Sequence, residues 1–472
     1  MTPNTNVVPG PDETPFLGSL RPFRANPLQY LLDTSRTYGP IARLSIFNTP
    51  IYLINNPDYI REVLVANNKQ FPKADLDMEM LRRFIGVGLL TSEGAYHRQQ
   101  RRLIQPAFHM RRIAGYADTM TDYTDRHIAT WQDGDIRDIS EEMMALTMFI
   151  VSKTLFDADM DDMQGMAATV GKAIHILQKV TNEEYKFPIM LPEWLPTPNN
   201  RQRKEQRTIL YDIIEQIIDE RLDGAENGRI QDTGDLLSML LLAEDEAGHS
   251  LSKQQVRDEA VTLFAAGHET TSNALTWTWY LLSQHPDVQA RLHQEVDEVL
   301  GRGANGRLPT LDDLPHLPYT EMVIKEALRL YPPAWILGAR QAAVDAELDG
   351  YPIPQGSLIF ISPYVMHRQE QYYPDPEQFD PERFSPEREA ELPRYAYIPF
   401  GGGPHVCIGN SFAMMEARLL LATIAQRFQL TLLQESITPL PLITLGIKEG
   451  LRMLVEERTA VVDSVPEVTV SF

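Results

Sequence analysis

A single cysteine, Cys407, stands in Phe400-Gly-Gly-Gly-Pro-His-Val-Cys-Ile-Gly409, a glycine-rich turn that runs straight into the apolar helical stretch SFAMMEARLLLATIAQRF. One cysteine excludes an intramolecular disulfide and fits a reducing compartment, so any special role of this thiol is chemical. A cysteine just ahead of a helix N-terminus lies near unpaired backbone N–H groups and the positive end of the helix dipole, which favour thiolate over thiol. The glycines let backbone pass close to a flat ligand without Cβ clashes. This placement suits a metal ligand, although an average lone cysteine is more often a small buried hydrophobe.

The length of 472 residues admits two or three average domains or one large enzyme domain. With 43% hydrophobic and 23% charged residues the chain reads as globular, neither membrane-embedded nor disordered. A net charge of -22 disfavours general attraction to nucleic acid or anionic lipid. No apolar run reaches the ~18 residues a membrane helix needs, and the first residues are polar and proline-rich. The expectation is a cytoplasmic, bacterial-style protein with no signal peptide, no membrane anchor and no nucleic-acid partner.

Tyr38 to Asn55 alternates apolar and polar residues around Asn-Thr-Pro, which predicts a hairpin in a small N-terminal sheet. From about Pro57 to Pro332 the period is helical, broken by polar loops at Leu222 to Gly234 and Gly301 to Pro309. Prolines and glycines crowd Ala334 to Pro404, where Gly350 to His367 suggests a strand pair and Tyr372 to Phe384 a meandering loop. A last helix follows from near Asn410 to about Phe428. The fold class expected is mainly α (α+β), a large helical body with a small β lobe. It forms one domain over residues 1–472, with a proline-rich lead at 1–15 and a tail at 459–472.

The longest helical segment runs from Ser252 to His285, with a capping residue at its start and Pro286 just past its end. In its middle lie Ala266-Gly267-His268-Glu269-Thr270-Thr271, where positions 266, 269 and 270 share one face by i,i+3 and i,i+4 spacing. A glycine inside a helix costs roughly 0.5 to 1 kcal/mol, and a threonine can bond back to a carbonyl and bend the helix. An opened groove beside a hydroxyl and a carboxylate can hold a diatomic ligand and relay protons to it. The bland alternative is a packed helix with an accidental glycine.

The cysteine segment resembles the heme-binding signature of the cytochrome P-450 superfamily, F-x-x-G-x-[R/H]-x-C-x-G, at Phe400, Gly403, His405, Cys407 and Gly409. The resemblance implies heme b (iron protoporphyrin IX), with Cys407 as the thiolate ligand of the iron and Phe400 and Gly401 beside the ring. His405 stands where Arg is usual. It is expected to hydrogen-bond a propionate more weakly than Arg and with some pH dependence. The Ala266 to Thr271 segment resembles the family's [A/G]-G-x-[D/E]-T-[T/S] element. That implies a groove at Ala266 and Gly267, Thr270 hydrogen-bonding dioxygen and Glu269 gating proton delivery, with thiolate donation assisting O–O cleavage. His97 and Arg101 match the family's W/H-x-x-x-R helix facing the propionates, and Arg340 falls where another propionate-binding Arg is common. Arg98 and Arg102 fit a solvated basic face. Glu326 and Arg329, alone a surface ion pair by default, resemble the E-x-x-R element, with Arg383 as third member of a buried cluster bracing the cysteine loop.

The resemblance covers nearly the whole chain and leaves no room for a fused reductase, so it implies a separate ferredoxin or flavodoxin with its reductase. The activity implied is insertion of one oxygen atom from O2 into a lipophilic small molecule, by hydroxylation or epoxidation. Isomerases or dehydratases and peroxide-driven members of the family commonly lack the acid–threonine pair, and a non-catalytic heme sensor remains the other alternative. The substrate wall is expected at Met78 to Leu90, Phe264, Ala265, Trp335 to Leu337, Leu442 and Ile443. These are almost all apolar, which suits a fatty acid or terpenoid.

Overall fold

The computed structural model describes residues 7–157, 160–185, 190–224, 230–244, 248, 250–302 and 306–458, with the side chains of 160–168 excepted. The expected tail at 459–472 and the centres of both expected polar loops lie outside the described residues.

The long helical segment forms one helix, Lys253–Gln284, which we call the central helix. The Ser252 hydroxyl accepts from Gln255 N, and the Gln255 side chain accepts from Ser252 N, a reciprocal cap that satisfies two N-terminal donors. His285 closes the other end, where Pro286 begins the next helix. At 32 residues it spans about 48 Å, enough to cross the whole body. Buried residues occur all round it, so it is an interior strut rather than a surface helix. It packs on Ile139–Phe156, Pro198–Asp223, Pro318–Leu330 and the terminal helix Asn410–Arg427.

Two apolar clusters meet at the central helix. The larger joins Trp279, Leu282 and Leu275 to Leu146, Ile150, Leu420 and Ile424. The second joins Phe264, Ala265 and Val261 to Phe84, Leu89, Leu177 and Leu210. The helix therefore divides a structural core from a second apolar compartment.

The β lobe is a four-stranded sheet in the order Ile41–Ile46, Thr49–Ile54, Leu358–Ile361, Arg340–Gln341. The first pair is the expected hairpin, but the chain reverses at Phe47-Asn48, both with positive φ (48° and 64°), and Thr49 already pairs with Ile46. Such a two-residue turn matches the twist of the strands it joins. Pro50 precedes the first pairing of its strand with Leu358–Ile361, so on that side its missing N–H breaks no strand pairing.

The strand pair expected within Gly350 to His367 is not a pair. Tyr351–Ile353 instead turns back on Ala346–Leu348 through Asp349-Gly350, both at positive φ, and Leu358–Ile361 joins Thr49–Ile54 in parallel. The Asp-Gly turn makes a local hairpin before the later strand is reached. A third small sheet places Ile136–Asp138, inside the stretch expected to be wholly helical, against Arg452–Glu457 and Phe428–Leu432. The terminal hairpin pairs Pro439–Pro441 with Leu445–Ile447.

Candidate active site

The cysteine loop is fixed from three sides. Cys407 N donates to Phe400 O at 3.0 Å, closing the turn, and Phe400 packs on the larger core cluster. Gly401 lies against Leu337. Gly403 has φ +67°, and a Cβ there would stand 2.1 Å from Leu64 O, so only glycine fits this crossing. Ile408 packs into the cluster that holds Phe264 and Ala265, which puts the loop beside the central helix.

Behind the loop, Glu326 and Arg329 are fully buried and joined by two hydrogen bonds of 2.7 and 2.8 Å. Arg329 also donates to His367 O, Pro376 O and Gln378 O, and Arg383 approaches Glu326 at 3.4 Å. Burial pushes the Glu326 carboxyl up in pKa, and the Arg329 hydrogen bond and charge act against it. This cluster stitches the brace helix Pro318–Leu330 to the chain that leads into the cysteine loop.

Cys407 is exposed, but to a recess: surrounding protein raises the thiol pKa by burial, while the Gly409 N–H and the Arg101 charge pull it back. Around it gathers a basic cluster. The His97 and His405 rings lie 4.0 Å apart. Arg101 donates to Val406 O at 2.6 Å. His405 Nε2 meets Glu93 Oε1 at 3.1 Å, and Arg340 approaches Glu93 Oε2 at 3.8 Å. Burial first, then the charges of His405 and Lys73, holds His97 at about 3, so it is a neutral ring. Burial also raises Glu93, but the His405 and Lys73 hydrogen bonds outweigh it and leave the carboxyl well below its ordinary range.

The central helix presents the second half of the site. Ala266 is exposed although Phe264 and Ala265 beside it are buried. The Thr270 hydroxyl donates to Ala266 O at 2.7 Å, and Thr271 to Gly267 O at 3.1 Å, the back-bonding that the Gly-Thr pattern suggested. Glu269 does not turn to Thr270. Its Oε1 accepts from the Thr444 hydroxyl at 2.7 Å and its Oε2 from the Gln178 amide.

Of the expected substrate wall, Phe84, Ile85, Leu89, Phe264, Ala265 and Ile443 share one apolar cluster. Trp335 and Ile336 pack elsewhere, with Trp277, and Leu337 lies against Gly401. Trp335 reaches the wall only through its indole N–H, which donates to Leu442 O at 2.8 Å.

A sequence profile described as Cytochrome P450 matches residues 8–454. The chain belongs to the cytochrome P450 family. It is 39% identical to cyclooctat-9-en-7-ol 5-monooxygenase of Streptomyces melanosporofaciens over 90% of this chain and 89% of that one. It is 34% identical to pentalenene oxygenase of Streptomyces avermitilis over 95% and 97%. The crystal structure of the cytochrome P450DA heme domain superposes with a TM-score of 0.86 at 26% identity, covering 96% of this chain and 98% of that one. The protein is a heme-thiolate monooxygenase.

The residues present fit the family's heme. Arg340 Nε is a buried donor without a partner, which suits a carboxylate at the ring edge, and His405 Nδ1 is a buried ring nitrogen without one. Cys407 supplies a soft sulfur ligand.

Sequence reasoning missed Lys73, whose amine donates to Leu90 O and Ser92 O and is brought by burial, then by the Arg340 charge, to about 7. It missed Glu93, Gln178 and Thr444 as well. Glu93 caps the helix Gly94–Ile104 through Gly94 N, and a carboxylate just before a helix is a visible signal. The other three carry none. The basic face of that helix does open on the surface: Arg98, Arg101, Arg102, Arg111 and Arg112 line a cleft of about 780 Å³ that reaches Gly403 and Pro404 of the cysteine loop.

Proposed function

We propose that this P450 hydroxylates or epoxidises a terpenoid or similarly apolar hydrocarbon. In this reading Cys407 is the thiolate ligand of heme b, and His97, Arg101, Arg340 and His405 hold its propionates. Phe400 and Gly401 lie beside the ring. The observation that carries the assignment is the basic cluster around the cysteine loop, where the buried nitrogens Arg340 Nε and His405 Nδ1 lack partners near the chain's one thiol. The names of the Streptomyces relatives, which act on cyclic terpenes, support the substrate class. The whole length works as one catalytic domain.

The heme, when bound, supplies the chemistry that splits dioxygen, one atom going to substrate and the other leaving as water. Ala266 leaves the helix face bare beside Thr270, while Gly267 lets the helix come close to Val151, whose Cγ2 would stand 3.2 Å from a Cβ there. Glu269 gives its proton to Thr270 Oγ1, Thr270 passes on its own, and the carboxylate is then reprotonated from solvent. Burial raises the Glu269 pKa, against the Thr444 and Gln178 hydrogen bonds, so the proton is available at higher pH than on an ordinary carboxyl. Phe84, Leu89, Phe264, Ala265 and Ile443 exclude water and hold an apolar substrate by area rather than by hydrogen bonds. Electrons come from a separate ferredoxin or flavodoxin with its reductase, docking at the basic cleft.

A panel of mono-, sesqui- and diterpene hydrocarbons, with fatty acids as the contrasting set, tests this reading. We expect a low-spin to high-spin shift with at least one terpene. In a reconstituted system with labelled O2, that compound gains one labelled oxygen. Shifts with fatty acids alone would reject the substrate class, and labelled water without labelled product would reject the monooxygenase step.

A further inference from the structure

Glu269 is held in a polar knot that joins three elements. On the helix Met160–Tyr185, here the roof helix, Gln178 and Asn182 are one turn apart. On the central helix, Glu269 and Asn273 are likewise one turn apart. The terminal hairpin inserts Ile443 and Thr444 between them. Gln178 donates to Glu269 Oε2, and Thr444 donates to Glu269 Oε1 at 2.7 Å. Asn273 Nδ2 donates to Thr444 Oγ1 at 3.1 Å, and Ile443 N donates to Asn182 Oδ1 at 3.0 Å.

The direction of these bonds follows from the chemistry. A hydroxyl has one proton, and because the Asn273 amide donates to Thr444, that proton is committed to Glu269. Both carboxyl oxygens therefore accept, each from a neutral donor on a different element. The Thr270 hydroxyl meanwhile is given to Ala266 O. Neighbours i and i+1 on a helix do not face each other, so Glu269 reaches Thr270 only by swinging away from one of its two partners.

The hairpin that carries Thr444 is anchored from below. The hairpin is pinned to the body by Trp335 Nε1 on Leu442 O, Trp277 Nε1 on Leu445 O and Leu445 N on Pro333 O, at 2.8 to 2.9 Å. Leu177, beside Gln178, and Ile443, beside Thr444, belong to the apolar cluster that also contains Phe264 and Ala265. A body pressing on that cluster thus presses on the residues adjoining both clamps.

We propose that Gln178 and Thr444 are positioning residues that hold the Glu269 carboxyl between the roof helix and the terminal hairpin, and that its release towards Thr270 is coupled to substrate entering the apolar compartment there. The inference rests on the reading of Glu269 as the proton donor. Thr444 is the fixed jaw and Gln178 the movable one. Without substrate the acid stays clamped and protons are not delivered; with substrate seated, the Gln178 bond gives way first.

The test uses heme-loaded wild type, Gln178→Leu, Thr444→Val, Thr444→Ser and Glu269→Gln. The first readout is the infrared C=O stretch of the protonated Glu269 carboxyl, assigned by its loss in Glu269→Gln and titrated with pH without substrate. The second is product formed per NAD(P)H consumed, with the terpene hydrocarbon that gives the largest spin-state shift. We expect Thr444→Val and Gln178→Leu to move the carboxyl titration upward, because each removes a donor that favours the anion. Thr444→Val should lower product per NAD(P)H at least threefold and Thr444→Ser should restore both, whereas Gln178→Leu, lacking only the bond that seated substrate releases, should keep the wild-type ratio. Unchanged titration in Thr444→Val and Gln178→Leu, with coupling unchanged in Thr444→Val and lost in Glu269→Gln, would overturn the clamp while leaving the proton donor intact. Unchanged coupling in Glu269→Gln would instead overturn the donor on which the clamp rests. Should Gln178→Leu lose heme, the Thr444→Val and Thr444→Ser pair decides alone.

Discussion

Thr270 and Cys407 stand out in the sequence as single residues because their chemistry ties residue type to a short spacing: a thiol in a glycine turn before a helix, a hydroxyl three and four residues from a glycine and an alanine. Lys73, Gln178 and Thr444 were not, since an isolated Lys, Gln or Thr in an apolar stretch has no local partner, and each gains its role only when distant segments meet. The same separation makes the residue roles testable. Thr270→Ala keeps heme content and the substrate-induced spin shift but lowers product per NAD(P)H roughly tenfold, the missing equivalents appearing as peroxide, because the positioned hydroxyl is gone. An undiminished ratio would contradict the relay. His405, expected to meet a propionate directly, also leans on Glu93, so the cluster contains its own counter-ion, which the sequence motif does not reveal.

Among the elements, the central helix was readable to its caps because Ser252, Gln255 and Pro286 state its limits chemically. The β lobe was less so. Asp349-Gly350 carried a hairpin signal that the apolar run after Pro354 masked, and the pairing of Leu358–Ile361 with Thr49–Ile54 is long-range, beyond any local pattern. Element-to-element locks give two predictions. Arg329→Met strands the Glu326 carboxylate in a fully buried site and costs about 3 to 5 kcal/mol of stability in urea unfolding; a loss below about 1 kcal/mol would mean that the cluster does not brace the fold. The second concerns Glu416 on the terminal helix, fully enclosed and hydrogen-bonded to Thr271 of the central helix; burial raises its carboxyl to about 8. Glu259 is raised by burial to about 7. Each folded pKa lies above its unfolded value of about 4.5, so the native state keeps protons that the unfolded state releases. Their contribution is complete below about pH 4.5 and is lost as pH rises through about 7 to 8. Glu416→Gln therefore flattens the decline in stability between about pH 5 and 8, read from unfolding midpoints; an unchanged slope would show that Glu416 does not hold its proton.

At the scale of the whole molecule, a chain of net charge -22 gathers Arg98, Arg101, Arg102, Arg111 and Arg112 at one cleft beside the cysteine loop. The proposed acidic electron donor, repelled at long range, would be drawn to that local positive field. Reversing Arg98 and Arg102 to Glu slows first electron transfer from an acidic ferredoxin at least tenfold at low salt, with a smaller difference as salt screens the field, and leaves heme content unchanged. Equal rates at low salt would place docking elsewhere. A helical body with a small β lobe was readable from the periodicity along the chain, while the division of the interior by the central helix emerged only from packing. All of these roles presuppose that the body is built round one sulfur–iron bond. The ferrous carbon-monoxide spectrum of wild type and Cys407→Ser tests that most directly. The account predicts a strongly red-shifted Soret band in the wild type and its loss in the variant; the same band in both would contradict it.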